Sequence, residues 1–258
     1  MTIRRNVVPW FWAGAGLALG LAGSALALAP AHWMQSLWQN AGVAALQLDE
    51  TQGSLWSGSG ALTLRAGSGE AVQLPGRVQW RLRPAWDGLE LQWQADCCLQ
   101  RPWRWSLQPH WGGARLRADD ADSQWPASWL NGLGTPWNTL HPEGQLSLHT
   151  DGLSLDWTAQ RLHVDGRVQV DALHMASRLS TLRPLGSYRV QLQGGATPSL
   201  QLNTLEGALQ LSGQGEWVGG RLRFRGEASA RPEQQEALAN LLNILGQRDG
   251  ARSRIQLG

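Results

Sequence analysis

Three aspartates, Asp119, Asp120 and Asp122, stand close together in a chain whose other acidic residues are scattered. Such a group suggests paired carboxylates for acid–base work or a seat for a cation, but it reads better as a solvated acidic loop. The two cysteines, Cys97 and Cys98, are adjacent and have no Cys-x-x-Cys spacing, which points to a structural rather than a redox role. They are open to a vicinal disulfide in a tight local turn, to two free thiols, or to a bond with another chain. His110, His141, His149, His163 and His174 show no metal-ligand spacing, so neither a zinc site nor any other metal is expected. Gly-x-Ser-x-Gly and Gly-x-Gly-x-x-Gly are both absent, and so is lysine, which excludes a P-loop, a Schiff base and a Ser-x-x-Lys site. No catalytic residue can be named, no cofactor is implied, and the chain does not read as an enzyme.

Binding is the chemistry that remains. Of sixteen tryptophans, fifteen precede residue 160. Trp80, Trp93, Trp105 and Trp157 each fall on the apolar phase of an alternating stretch, where a large ring fills a core. On an open sheet the same four would line a candidate apolar groove that a lipid or a partner must cover. Arg77, Arg81, Arg83, Arg221, Arg223 and Arg225 fall on the polar phases. Their plainest role is a solvated face that discourages aggregation, and Arg77, Arg81, Arg221 and Arg223 make a candidate face for an acidic partner.

The elements that position these residues are strands. Val78, Trp80 and Leu82 alternate with Arg77, Gln79, Arg81 and Arg83, and Leu89, Leu91, Trp93 and Ala95 alternate with Glu90, Gln92, Gln94 and Asp96. Pro84 to Gly88 reverses the chain between them, so the two stretches predict an antiparallel hairpin. Similar runs recur through Val170, with Asp151-Gly152 and Asp165-Gly166 as punctuation, and predict a meander. Residues 119–140 interrupt it, with a helical turn at 126–130 and a loop at Gly132, Gly134 and Pro136. Trp125, Trp129, Leu130, Trp137 and Leu140 make that stretch too apolar for an exposed linker between domains. A weak repeat relates residues 53–64 to 207–217. Near the end, Pro232 opens a helix with Leu238, Leu241, Leu242 and Leu245 on one face and Gly246 as its stop.

Residues 7–29 form an uncharged run of twenty-three, and about 20 residues suffice for a membrane-spanning helix. Arg4 and Arg5 precede it and no further Arg occurs before Arg65, which keeps the N-terminus in the cytoplasm. The run is longer than a signal-peptide core and is followed by Pro30, so retention is expected rather than cleavage. The expected organisation is a cytoplasmic 1–6, a transmembrane helix 7–29, an interfacial helix 30–42 and a β-rich domain 43–258. A net charge of +2 with 16% charged residues argues against nucleic acid as a partner.

The final third carries Pro184-Leu-Gly-Ser-Tyr188, the Gly-x-Leu-x-Leu-x-Gly-x-Gly-x-Trp run at 207–217, Arg223-Phe224-x-Gly226, and the Leu-rich helix ending at Gly246. In these motifs, taken in their order, it resembles the type II secretion system protein N family. The resemblance extends more loosely through Gly53-Ser-Leu-Trp56-x-Gly58 and Pro126-Ala-Ser-Trp-Leu130. The resemblance implies an inner-membrane accessory protein of the secretion machine, single-pass, with a periplasmic body and other secretion components as partners. A more distant likeness to AsmA-like proteins implies one elongated, curved antiparallel sheet, mainly β with a few short helices. Its open groove would suit phospholipid, making lipid binding or transfer the alternative to an assembly role.

Overall fold

A computed structural model of the chain describes residues 10–40, 45–67, 70–158, 161–218 and 221–258. The strands are β1 (Leu46–Gly53), β2 (Ser57–Leu64), β3 (Val72–Gln73), β4 (Val78–Ala85), β5 (Gly88–Ala95), β6 (Trp103–His110), β7 (Gly113–Ala118) and β8 (Ala121–Pro126). They continue with β9 (Pro142–Thr158), β10 (Arg161–Ser177), β11 (Gly186–Gln193), β12 (Ser199–Gly207), β13 (Leu209–Val218), β14 (Arg221–Ala230), β15 (Gln247–Asp249) and β16 (Arg252–Leu257). All sixteen join one sheet in the order β1-β2-β4-β5-β6-β7-β9-β10-β11-β12-β13-β14-β16-β15, with β3 beside β2 and β8 beside β9. Every pairing is antiparallel, as the meander predicted.

Register makes the sheet two-faced. Trp80 lies opposite Trp93 and Trp93 opposite Trp103; farther along, Val170 pairs with Val190 and Val190 with Leu202. One face therefore collects the Trp, Leu and Val of every alternating run, and the other collects Arg, Gln, Asp and Glu. The apolar face carries two cores. The first gathers Leu48, Leu62, Leu74, Val78, Trp80, Trp103 and Trp125 with Ala29, Ala31 and Met34. The second gathers Met175, Leu185, Tyr188, Leu209 and Ala228 under helix α4.

Among the described residues four α-helices accompany the sheet: α1 (Trp10–Ala27), α2 (Trp33–Asn40), α3 (Trp137–Leu140) and α4 (Gln235–Leu245). Leu238, Leu241 and Leu242 of α4 are all buried, on the face that the sequence pattern marked. Gly246 ends it for a reason other than backbone sign. Its φ of 179° is extended, but a Cβ there would run into the Arg254 carbonyl oxygen. The break in the meander contains more helix than expected, a 3-10 helix at Ala127–Leu133 followed by α3. Ala127 joins the second core while Trp125 and Trp129 pack with the first. The stretch thus packs against both cores.

The N-terminal segment differs from the expected transmembrane helix. Helix α1 has 18 residues, which at about 1.5 Å per residue spans about 27 Å, short of a hydrocarbon core of about 30 Å. Among the described residues no helix is long and apolar enough to cross a membrane. The helix stops at Ala27 because Pro30 bridges Ser54 and Ala29 accepts the Leu55 N–H at 2.8 Å. Arg4, Arg5 and residues 7–9, on which the orientation and the start of the run depend, lie outside the described residues. Beyond Pro30, α2 turns Met34 into the core, and the Gln35 side chain accepts the Leu48 N–H at 2.7 Å.

Cys97 and Cys98 are bonded to each other, which resolves the three alternatives in favour of the vicinal disulfide. They sit in the turn between β5 and β6, where Cys98 accepts the Gln124 N–H at 2.8 Å.

The weak repeat has a packing meaning. Gly58 of β2 lies opposite Trp80 and Gly215 of β13 opposite Phe224, each aromatic lying against glycines of the neighbouring strand. A Cβ on Gly58 would come within 2.5 Å of the Trp80 ring and 2.6 Å of the Gln52 carbonyl oxygen. Gly58→Ala is therefore expected to destabilise the fold by about 1–3 kcal/mol through overpacking, read as a lower urea midpoint with an unchanged m-value.

Candidate interaction surfaces

The acidic cluster is occupied by the fold. Asp120 accepts the Gly152 N–H at 2.8 Å, the Asp119 carbonyl accepts the Trp103 indole N–H at 2.8 Å, and Asp122 contacts His149 at 2.7 Å. Here β7 gives way to β8 against the same edge of β9. The step adds a residue that matches the bulge at Gly152, and the aspartates clip the two irregularities together. Among the described residues no group of His, Cys, Asp and Glu could hold a metal ion.

The four tryptophans of the candidate groove share the apolar face but not one environment. Trp80 is buried, and its indole N–H donates to the Leu55 carbonyl at 3.1 Å. Trp93 stacks on Trp103 with centroids 5.6 Å apart and lies 6.1 Å from Trp125. Trp103 in turn meets Trp105 at 5.0 Å, and Trp125 stacks on Trp129 at 5.4 Å. Over β4 to β8 the rings therefore fill the space between sheet and covering segments, and the apolar face is closed there by its own side chains. Trp157 stands apart, 44% exposed near the tip of the β9–β10 hairpin.

The open part of the apolar face lies farther along. Leu153, Leu162, Val164, Val168, Leu192 and Trp217 line a concavity of about 510 Å³. No residue of α4 or of the 127–140 segment lines it, so Leu162 is exposed and the others are left half-buried. The signal in the sequence that marks these residues is the Leu-x-Val alternation of β10 in a stretch with no helical period nearby to cover it.

The arginines lie on the polar face, as their phase required, but at two distant places. Arg77 donates to the Glu50 carbonyl at 2.7 Å and pairs with its carboxylate at 3.5 Å. Arg81 lines a hollow of about 380 Å³ with Gln79, Gln92 and Gln94. Arg223 lines another of about 610 Å³ with Gln201, Gln214, Glu216 and Arg225. β4 and β14 are nine strands apart in the sheet order, about 43 Å at 4.8 Å per strand. Arg77 and Arg81 thus form one surface, and Arg221 and Arg223 another.

Between them the polar face is laced with ion pairs. Arg189 holds Asp171 through two hydrogen bonds of 2.7 Å; Arg115 and His110 both reach Asp156, and Arg183 reaches Glu143. In each case the arginine hydrogen bond is the main cause that holds the carboxyl below its ordinary range, against the opposing effect of desolvation. Burial pushes the Tyr188 hydroxyl upward, and it donates to the Leu209 carbonyl at 3.1 Å.

Two outcomes follow from this geometry. Trp93→Ala, which empties the ring cluster, is expected to cost about 3–5 kcal/mol, whereas Leu162→Ala, at a position 52% exposed, should cost less than about 0.5 kcal/mol. Urea titration of both variants separates closed core from open concavity. The Asp171 carboxyl is depressed in the folded state, so its contribution is complete above the unfolded value of about 3.9 and disappears as pH falls through the folded one. Asp171→Asn should therefore lower the thermal midpoint at pH 7 and narrow its difference from the parent as pH falls below about 4, as calorimetry across pH would register.

Comparison with known proteins agrees with the resemblance read from the sequence. The model of the family described as type II secretion system (T2SS), protein N matches residues 44–255. No curated protein and no solved structure matches the chain. The matched stretch takes in β1 to β15, α4 and the first four residues of β16, well over half of the 258 residues, and the chain therefore belongs to the type II secretion system protein N family.

Proposed function

We propose that the protein is an accessory component of the type II secretion apparatus, held in the bacterial inner membrane by residues 7–29 and acting in the periplasm through protein–protein contacts. Membership of the family is the observation that carries this reading. The condition of α1 supports the anchor: from Ala13 to Leu28 every residue except Ala15 is exposed, including Leu17, Leu19, Leu21 and Leu26. An uncharged helix that is apolar all round belongs in a membrane or in a protein core. The uncharged run also extends beyond the helix, through residues 7–9 before it and Leu28 and Ala29 after it. The vicinal disulfide suits an oxidising compartment.

Binding rather than catalysis fits the titratable groups. The carboxylates with resolved shifts are held ionised by arginine, so none of these is poised to exchange protons near neutral pH. The polar hollows at Arg81 and Arg223 are the surfaces we assign to acidic segments of other secretion components, each with a guanidinium among glutamines. A second reading has its own support. The apolar concavity beneath Leu162 and Val168 has the composition to take a phospholipid acyl chain.

Crosslinking pull-down of the tagged full-length protein from its own cell envelope, with proteins and lipids identified by mass spectrometry, tests both. Secretion components are expected to co-purify, and Arg223→Glu or Arg81→Glu should lower their recovery at least threefold. Recovery of no secretion component would overturn the assembly role, while phospholipid at one per chain would favour the concavity.

A further inference from the structure

The sheet's tips carry a feature that neither reading uses. In an antiparallel meander, successive turns alternate between the two ends of the strands. The turns β1–β2, β4–β5, β6–β7 and β9–β10 therefore share one end. These four hairpins are consecutive across the sheet, about 10 Å apart at two strand spacings each. The first of them is where α1 is rooted: Leu55 donates to the Ala29 carbonyl, and the Trp56 indole N–H donates to the Leu26 carbonyl at 2.8 Å. The next two end on Trp86 and Trp111, whose side chains are exposed to 104% and 103%. The fourth carries the cross-strand pair Trp157 and Leu162 one pair short of its last described residues, exposed to 44% and 52%.

Fully exposed tryptophan at a hairpin tip stabilises nothing inside the molecule. Here two adjacent tips have it, with the exposed pair Trp157 and Leu162 on the hairpin beside them, on the end of the sheet from which an exposed apolar helix departs. Tryptophan is the side chain that favours the boundary between lipid and water, its ring among acyl chains and its N–H among headgroups. Beside Trp86 and Trp111 the turns carry one formal charge, Asp87, which accepts a hydrogen bond from Gln108. Beside Trp157 and Leu162 in the chain stand Asp156, which pairs with Arg115, and Arg161, a cation compatible with anionic headgroups.

We infer that this end of the sheet rests on the bilayer, with Trp86, Trp111, Trp157 and Leu162 inserted at its headgroup level as a second contact beside α1. The inference rests on the membrane anchor proposed above and adds an orientation. The strands stand on the membrane rather than lying along it. The apolar concavity, whose lining includes Leu162, then opens at the lipid surface.

The test uses the full chain reconstituted into vesicles of phosphatidylethanolamine and phosphatidylglycerol, with and without brominated phospholipid, which quenches tryptophan fluorescence on contact. Trp86→Gln/Trp111→Gln should shrink the bromine-quenched part of the emission by roughly what two of the sixteen tryptophans contribute to the whole. That is a larger share of the quenched part itself, because the core rings do not meet lipid. Trp137→Gln, a control in α3 at the opposite end of the strands, should leave the quenched part unchanged. Both altered tips are fully exposed, so the double variant should keep its urea midpoint. Flotation of the vesicles reports on the anchor independently. A chain that floats while parent and tip variant quench alike would overturn the tip contact and leave the anchor standing. A chain that does not float would overturn both, because the tips themselves would then have failed to bind lipid.

Discussion

A single register constraint governs the molecule: across sixteen strands the same face must stay apolar, and a slip of one residue in any strand would turn its whole apolar set to solvent. The chain meets this with bulges that answer one another. The extra residue of β9 at Gly152 changes which alternate positions face the core, from Leu153 and Leu155 to Leu146 and Leu148. Across the strand boundary, the step between β7 and β8 makes the matching change, from Leu116 and Ala118 to Ala121, Ser123 and Trp125. Gly152 bonds to Asp120, and Thr150, almost fully buried, accepts the Ala121 N–H at 3.1 Å. If these irregularities fell out of step, the tryptophan cluster on one side and the concavity on the other would lie on opposite faces.

The alternation of Val78, Trp80 and Leu82, and of Leu89, Leu91 and Trp93, is a local property, so the strands, their hairpin and their two faces could be read directly. The helix α4 was legible for the same reason. Its stop at Gly246 was also read, though the cause, a close approach to the Arg254 carbonyl, lies across the fold. What the sequence could not show was which apolar positions would be covered. Trp93 and Leu162 have the same phase and comparable hydrophobicity. One is sealed because Trp125 and Trp129, more than thirty residues away, fold back over it; the other remains open because no segment returns. The Arg81 and Arg223 sets were alike in phase and separated only by topology. For the aspartates, composition suggested chemistry where a pair of bulges required clips.

An open sheet leaves two edges that could recruit further strands, and this chain blunts both. β15 has only three residues, Gln247, Arg248 and Asp249, all exposed, and Arg254 beside it pairs with Asp249 at 2.7 Å. At the other edge β1 is kinked at Glu50, whose φ is +50°, and Asp49 accepts the Thr63 hydroxyl at 2.7 Å. With the edges discouraged, strand addition is a poor route to a partner. The surfaces that remain are the hollows of the polar face, the open apolar concavity and the hairpin tips. They differ in chemistry and lie on different sides of one rigid sheet, so a charged protein segment and a lipid could be bound without competing. On the function proposed above, the one continuous sheet joins the membrane-facing tips to the polar hollows, and the coupling between them requires no moving part.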